Sequence, residues 1–199
     1  MKTLKFENRE DWLNARRGKI TGSRLKDIIV KRGTGYKIGF YELIAEKLGI
    51  PADDESAMDR GTRLESEAME RFTKETGKKV DTSLVLWARE DNENIAISPD
   101  GFGKDFAVEA KCLSSARHIE AWLTKEIPSE YEYQKLQYFI VNDKLKKLYF
   151  AFYDPRLLYK PFFTIEVNRK DVEEEVEEYL EYQRKTLEEV NRIVNELTF

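Results

Sequence analysis

The stretch Ser98-Pro99-Asp100-Gly101, followed after a short turn by Phe106-Ala107-Val108-Glu109-Ala110-Lys111-Cys112, decides the fold of this chain. Side chains alternate between the two faces of a strand, so the second segment places Glu109 and Lys111 together on one face. A run this apolar predicts an inner strand, where charges are rare unless a partner or a metal ion compensates them. Asp100 lies at the end of a preceding strand. Two carboxylates and one amine on a sheet suit a divalent metal ion with an activated water, which is nuclease chemistry.

The remaining pattern predicts helices packed around a sheet. We expect helices over residues 11–17, 40–48, 58–76, 116–124, 130–141 and 169–197, and one more that begins near Thr21 or Ser23. We expect strands over residues 80–89, 95–98, 106–112, 148–153 and 162–167, with a hairpin turn at 91–94. Gly77 is positioned to end the long helix. This order of elements predicts a mixed α/β domain.

Composition sets outer limits on the kind of protein. The chain has 199 residues, 41% hydrophobic and 36% charged, which indicates a folded domain rather than a disordered one. Its apolar runs are too short to span a membrane, and the N-terminus lacks the apolar core of a secretion signal. These features predict a cytoplasmic protein. Its one cysteine, Cys112, excludes an iron–sulfur cluster held by this chain's own cysteines and is expected to be an inert packed thiol.

Charge is distributed unevenly along the chain, although the net charge is only −4. The segment 1–50 carries twelve Lys and Arg against six Asp and Glu, whereas 166–199 carries five against eleven. An N-terminal basic surface would hold DNA while the acidic C-terminal helix faces elsewhere. Charge alone, however, favours two ordinary solvated faces.

The residues of the opening stretch have distinct chemical roles in a metal site. Asp100 and Glu109 would bind the metal ion, and the backbone carbonyl of Ala110 would add a ligand. Lys111 would orient or deprotonate the attacking water. Mg²⁺ fits this set because it prefers a few carboxylates completed by water, and Mn²⁺ is a possible substitute. The alternative is a structural Glu–Lys ion pair on a half-exposed face of the sheet.

Two predicted helices carry further candidates. Glu65, on the long helix, would complete the metal shell through water, or else is an ordinary exposed glutamate. Gln134 and Tyr138 lie four residues apart and therefore share a helix face. A glutamine there would donate to a phosphate oxygen without adding charge, and Gln137 competes for that role. The alternative is the polar edge of an amphipathic helix.

Three residues that are distant in sequence form a candidate anion pocket. Arg16 supplies a guanidinium fork, and Ser23 and Ser98 supply hydroxyls near the start of a helix. The only histidine, His118, is expected on a helix surface, which disfavours an acid–base scheme built on histidine.

Taken together, these residues resemble the lambda exonuclease/YqaJ-type viral recombinase branch of the PD-(D/E)XK nucleases. The resemblance spans nearly the whole chain. It is carried by the following motifs, in order: Trp12-x3-Arg16-x-Gly18-x-Ile20-Thr21-x-Ser23, Gly61-x3-Glu65, Ser98-Pro99-Asp100-Gly101, Glu109-x-Lys111-Cys112, the Gln134 helix and Tyr153-Asp154-Pro155-Arg156.

The resemblance implies a restriction-endonuclease-like core with a central mixed β-sheet flanked by helices. It implies one nuclease domain over 1–199, with N-terminal helices (1–57) at the DNA end, a catalytic core (58–168) and a C-terminal helix (169–199). The activity implied is Mg²⁺-dependent 5′→3′ degradation of one strand of linear duplex DNA, which leaves 3′ overhangs for recombination.

The resemblance also implies roles for particular residues. Asp100 and Glu109 would hold Mg²⁺, Lys111 would act on the water, and Glu65 would support the metal. The residues expected to hold the 5′-terminal phosphate or DNA are Arg16, Ser23, Ser98, Gln134, Gln137, Tyr138 and, in the groove, Arg32. A trimeric ring around DNA, a single-strand annealing partner and a phage origin in a host cytoplasm are implied as well. A structure-selective or site-specific endonuclease of the same fold and a non-catalytic DNA-binding module are the alternatives.

Overall fold

Two β-sheets form the framework of the molecule. The computed structural model describes residues 1–29, 37, 40, 43, 46, 47, 59–113, 115–155 and 157–198. The first sheet has the order β1-β2-β3, from strands Lys2–Lys5, Val85–Ala88 and Ala96–Ile97, and both of its pairings are antiparallel. The second has the order β4-β5-β6-β7, from Gly101–Phe102, Phe106–Lys111, Lys147–Tyr153 and Phe162–Asn168. Only β5 and β6 pair in parallel, so this sheet is mixed, as predicted.

Helices cover the sheets and follow most of the predicted boundaries. The described helices are α1 (Arg9–Arg16), α2 (Gly22–Ile28), α3 (Asp59–Thr76), α4 (Ser115–Thr124), α5 (Glu132–Val141) and α6 (Glu173–Thr198), with short 3-10 turns at Ser129–Tyr131 and Arg169–Asp171. Gly77 has φ +67° and ends α3, as expected for a residue that tolerates the left-handed region. Of the helix predicted over 40–48, only four residues are described, and buried Phe40 and Leu43 are among them.

The strand predictions differ from the structure at three places, one of which is β4 (Gly101–Phe102), where a tight turn was expected. The strand expected over 80–89 is regular only at Val85–Ala88, and a single bridge joins Asp81 to Phe102 of β4. Strand β1 was not predicted. All four of its residues are exposed, so it lacks the alternation that marks a half-buried strand, and it forms only by pairing with β2.

Both faces of the second sheet are buried, and this positions β5 in the interior. On one face, Val108 of β5 packs with Met69 and Phe72 of α3. On the other face, Ala107 and Phe150 belong to the main core together with residues of α5 and α6. Losing a side chain such as Phe72, which is fully buried, would cost about 3–5 kcal/mol. Glu109 is therefore not on a half-exposed face, since only 4% of it is exposed.

His118 contradicts the sequence prediction. It is buried rather than on a helix surface, with its ring 4.8 Å from that of Phe163 and Nε2 3.0 Å from the carbonyl of Lys160. His118 is buried because α4 packs against β7 with this side chain facing Phe163. The helical spacing around a single histidine does not predict such a contact. No helix in the described ranges combines the length and hydrophobicity needed to cross a membrane.

Candidate active site

The site lies where the pairing of β4 with β5 stops. Gly101 pairs with Val108, and the same antiparallel register continued by two residues sets Pro99 opposite Ala110. Proline has no backbone N–H to donate, so the ladder cannot continue. The carboxylate of Asp100 instead accepts the N–H of Ala110 at 2.7 Å. Because the N–H and C=O of a paired strand residue face the same neighbour, the carbonyl of Ala110 faces the edge that carries Asp100.

Glu109 is held by three side chains. The Lys111 ammonium donates to its Oε1 at 2.7 Å, the Gln134 amide donates to the same oxygen at 2.5 Å, and the Tyr138 hydroxyl donates to Oε2. Gln134 Oε1 also accepts from Lys111 Nζ at 2.9 Å. The helical spacing that predicted a shared face for Gln134 and Tyr138 is confirmed, since both contact one carboxylate. Such contacts fix the position of a buried carboxylate.

Lys111 is surrounded by groups that favour its charged form. Its Nζ lies 4.3 Å from the centroid of the Tyr131 ring, a cation–π contact. Burial by itself lowers the pKa of Lys111, but the carboxylates of Glu109 and Asp100 outweigh it and the pKa is raised. Lys111 Nζ also hydrogen-bonds to Glu109 and Gln134, and its remaining N–H can orient a nearby water.

Three carboxylates crowd one side of the site. Burial, followed by Glu109 and Glu65, raises the pKa of Asp100 well above its ordinary value. Burial, followed by Glu109, raises the pKa of Glu65. Asp100 and Glu65 both line a cleft of about 560 Å³ between α3 and the sheet. Acids that raise one another's pKa form a site that a cation would stabilise.

The donor set fits a divalent ion that keeps part of its water shell. Within the described ranges, no group of three or more His, Cys, Asp or Glu side chains is arranged so that it could hold a metal ion by itself. Mg²⁺ does not need one, because it is usually bound through one or two carboxylates and several waters. Asp100, Glu109 and the Ala110 carbonyl are the oxygen donors at the end of β5, with Glu65 across the cleft.

Two members of the candidate anion pocket, Arg16 and Ser23, lie close together, and Arg16 lies near the carboxylates of Glu109 and Asp100. Arg16 Nη2 lies 3.5 Å from Ser23 Oγ, and its guanidinium stacks over the Trp12 ring at 4.5 Å. Burial lowers the pKa of Arg16, and Glu109 and Asp100 are the strongest opposing influences. Arginine nonetheless remains charged. The hydroxyl of Ser98 is buried and has no hydrogen-bond partner among the described residues.

Two of the predicted DNA contacts are wrong in this structure, and one is not described. Gln137 is fully buried and its amide nitrogen donates to the carbonyls of Ile20 and Ala96, so it is not available to a phosphate. Tyr138 is also fully buried and contacts Glu109 instead. Helical spacing predicts which side chains share a face of the helix, but it does not predict how far each of them is buried. Arg32 lies outside the described residues.

Comparison with known proteins identifies the family of this chain. A family model of the YqaJ-like viral recombinase domain matches residues 11–144, which include every described residue of the site. This chain belongs to the YqaJ-like viral recombinase family. The fold is similar to that of the crystal structure of LHK-Exo in complex with dAMP, with a TM-score of 0.80, 29% identity and coverage of 95% of this chain and 96% of that one.

A second solved structure, the alkaline exonuclease LHK-Exo from Laribacter hongkongensis, matches with a TM-score of 0.81 and 28% identity over the same shares of both chains. No curated protein sequence matches the chain. The likeness to these exonucleases confirms the resemblance and the PD-(D/E)XK fold class inferred from the motifs.

Sequence analysis of this YqaJ-like chain missed two residues of the site. Trp12 was quoted only as a motif letter, yet it supports the Arg16 guanidinium and its Nε1 donates to the Val85 carbonyl at 3.2 Å. Tyr131 contacts Lys111, and no sequence signal indicated this, because the contact depends on the 3-10 turn before α5.

Proposed function

We propose that this DNA exonuclease degrades one strand of linear duplex DNA from its 5′ end, uses Mg²⁺, and leaves 3′ single-stranded overhangs for recombination. Membership of the YqaJ-like family and the likeness to an alkaline exonuclease support the class of reaction. The arrangement at the end of β5 supports the metal, and the pocket around Arg16 supports recognition of a 5′ phosphate.

One observation carries the proposal: Asp100, Glu109 and Lys111 converge where the β4–β5 ladder ends. Phosphodiester hydrolysis needs neutralised phosphate oxygens and an oriented water. Bound Mg²⁺ would supply the charge that neutralises the phosphate and activates the water. Asp100, Glu109 and the Ala110 carbonyl would hold it, and Glu65 would do so through water.

The chain's own side chains provide the rest of the chemistry. Lys111, fixed by Glu109 and Gln134, donates a hydrogen bond to the attacking water and keeps it in line with the phosphorus atom. Tyr138 holds Glu109 from the opposite side. Gln134 is placed to turn its amide from Glu109 to a phosphate oxygen when DNA binds.

The 5′-terminal phosphate would bind to Arg16, Ser23 and the hydroxyl of Ser98. A guanidinium with two hydroxyls matches the geometry of a terminal phosphate, which carries more charge than an internal phosphodiester. A phosphate in this pocket would position the end of the strand at a fixed distance from the carboxylates. The family resemblance further supports a trimeric ring around DNA and a single-strand annealing partner, and light scattering would measure the oligomeric state.

The test is digestion of linear duplex DNA labelled at either the 5′ or the 3′ end, with and without Mg²⁺. Release of label from the 5′ end first, only with Mg²⁺, is the expected result. Degradation from the 3′ end would refute the polarity, and cleavage of covalently closed circles would favour an endonuclease. Failure to release any nucleotide, with DNA binding intact, would favour a non-catalytic DNA-binding module. Lys111→Ala is the matched control against a contaminating nuclease.

A further inference from the structure

Two buried glutamines connect α5 to the C-terminal helix. Gln137 on α5 and Gln183 on α6 are each fully buried. Gln183 Nε2 donates to Gln137 Oε1 at 2.8 Å, and Gln137 Nε2 approaches Gln183 Oε1 at 3.2 Å. One turn earlier on each helix, the rings of Tyr133 and Tyr179 meet at 5.4 Å. The Tyr133–Tyr179 and Gln137–Gln183 contacts are separated by four residues on each helix. Together they fix how α6 is aligned along α5.

The amide of Gln137 extends this pair to the backbone of the anion pocket. Its Nε2 donates to the carbonyl of Ile20 at 2.9 Å and lies 3.2 Å from that of Ala96. Ile20 and Ala96 are themselves joined by a backbone hydrogen bond of 3.0 Å. Ile20 lies three residues before Ser23 and Ala96 two residues before Ser98. Gln137 therefore binds a junction that lies within three residues of both Ser23 and Ser98 along the chain.

This junction leaves little room for adjustment. A side-chain carbon added at Gly22 would lie 2.7 Å from Ile97 Cδ1 and 3.0 Å from Gln134 Cγ, so α2, β3 and α5 already touch there. The hydroxyl of Tyr182 on α6 lies 3.4 Å from the carbonyl of Ile28, at the other end of α2. The C-terminal helix thus contacts α2 directly at one end and, through Gln137, at the other.

We infer that Gln137 and Gln183 are positioning residues that set the distance between the 5′-phosphate pocket and the catalytic carboxylates. Gln137 lies three residues after Gln134 and directly before Tyr138, so the helix that carries the Glu109 contacts also carries the contact to the pocket. A buried amide pair serves this purpose because hydrogen bonds are directional, whereas an apolar contact tolerates sliding. The inference rests on the proposed 5′-phosphate recognition. Gln183 lies outside the residues 11–144 that match the family model.

The experiment compares Gln183→Met with wild type on linear duplexes that end in a 5′ phosphate or a 5′ hydroxyl. Methionine keeps the volume of the side chain but can neither donate to nor accept from Gln137 as an amide does. The readout is the ratio of kcat/KM for the two ends. We expect Gln183→Met to lower this ratio about tenfold, since a lost buried hydrogen bond costs roughly one decade in an equilibrium.

Val190→Ala is the matched control, because Val190 is fully buried on the same helix and makes only apolar contacts in the core. It should lower Tm at least as much as Gln183→Met and leave the ratio unchanged. If Gln183→Met lowers Tm but preserves the ratio, the pair is merely structural and the inference is overturned.

If Gln183→Met does not fold, Gln183→Asn is tested instead. Asparagine keeps the buried amide, but its side chain is shorter than that of glutamine by one methylene. It should also lower the ratio, and an unchanged ratio refutes the inference. Wild-type enzyme without any preference for the 5′ phosphate would refute the proposed pocket itself. A wild-type preference that survives in both Gln183 variants would refute only the positioning role.

Discussion

Removing the Tyr138 hydroxyl should weaken the metal site without destroying the active-site lysine. Tyr138 is fully buried, and its hydroxyl donates to Glu109 Oε2, the carboxylate oxygen that neither Lys111 nor Gln134 contacts. In Tyr138→Phe this oxygen loses its donor, while the ring and its packing remain. Glu109 is then free to rotate away from the geometry in which it would hold Mg²⁺.

The size of the effect follows from the type of bond. A hydrogen bond to an ionised carboxylate contributes about 1.5–3 kcal/mol, and loss of such a support for a metal ligand lowers metal affinity by about 10–100-fold. We therefore expect the Mg²⁺ concentration for half-maximal activity to rise at least tenfold. At saturating Mg²⁺, kcat should recover substantially, because Lys111 keeps its contacts with Gln134 and Tyr131.

The assay is nucleotide release from linear duplex DNA over a Mg²⁺ titration. Tyr149→Phe is the matched control, because Tyr149 also hydrogen-bonds a glutamate, Glu166, but belongs to the apolar cluster on the α3 face of the sheet. It should leave the Mg²⁺ dependence unchanged. An unaltered half-maximal concentration in Tyr138→Phe would refute the argument that Tyr138 holds a metal-binding carboxylate.

Three other variants test separate parts of the structure. Lys111→Ala should abolish cleavage but retain DNA binding, measured by turnover and fluorescence anisotropy in parallel, and unchanged turnover would remove Lys111 from the mechanism. Arg16→Ala should lower the preference for a 5′-phosphate over a 5′-hydroxyl end by about tenfold or more, because charge-assisted hydrogen bonds to phosphate are lost; a preserved preference would place the pocket elsewhere. Hydrogen bonding from Arg89, supported by Arg184, lowers the pKa of Asp91 from 3.8 to about 2, so its contribution to stability is present above pH 4 and is lost as the pH falls towards 2. Asp91→Asn should therefore lower Tm at neutral pH and flatten the decline of Tm across that acidic range, and an identical pH profile of Tm would contradict this account.

Local patterns predicted most of the elements because those elements bury a regular face. The apolar runs of β5 and β6 and the stripes of α3 and α6 carry their own periodicity, so their bounds agree with the structure to within a few residues. Strand β1 has no such stripe and depends on β2 for its hydrogen bonds. The strand expected over 80–89 is interrupted, because Val85–Ala88 pairs with β1 and β3 whereas Asp81 makes a single bridge to Phe102 of the other sheet.

The candidate site was predictable to the extent that its members are close in sequence or carry a motif. The spacing of Asp100, Glu109 and Lys111 indicated that they would meet. Glu109 and Lys111 are two residues apart on one strand, and a single turn joins that strand to Asp100. The burial of Gln137 was not predictable, because the difference between it and Gln134 is a rotation of about 60° around α5. The rotation matters only because α6 and the Ile20–Ala96 junction cover the side of α5 on which Gln137 lies.

The order of residues along the chain put the acids, the lysine and the arginine at intervals that strand and helix periods can bring together, because those periods are properties of the backbone. The motifs that contain these residues resemble those of a nuclease family, and that resemblance indicated the chemical type of this protein. The tertiary structure alone decided which groups are solvent-free, which tyrosine supports which charge, and how the C-terminal helix is connected to the pocket. Those outcomes depend on contacts between segments many residues apart, and the energy of such contacts comes from burial and hydrogen-bond geometry that no local pattern contains.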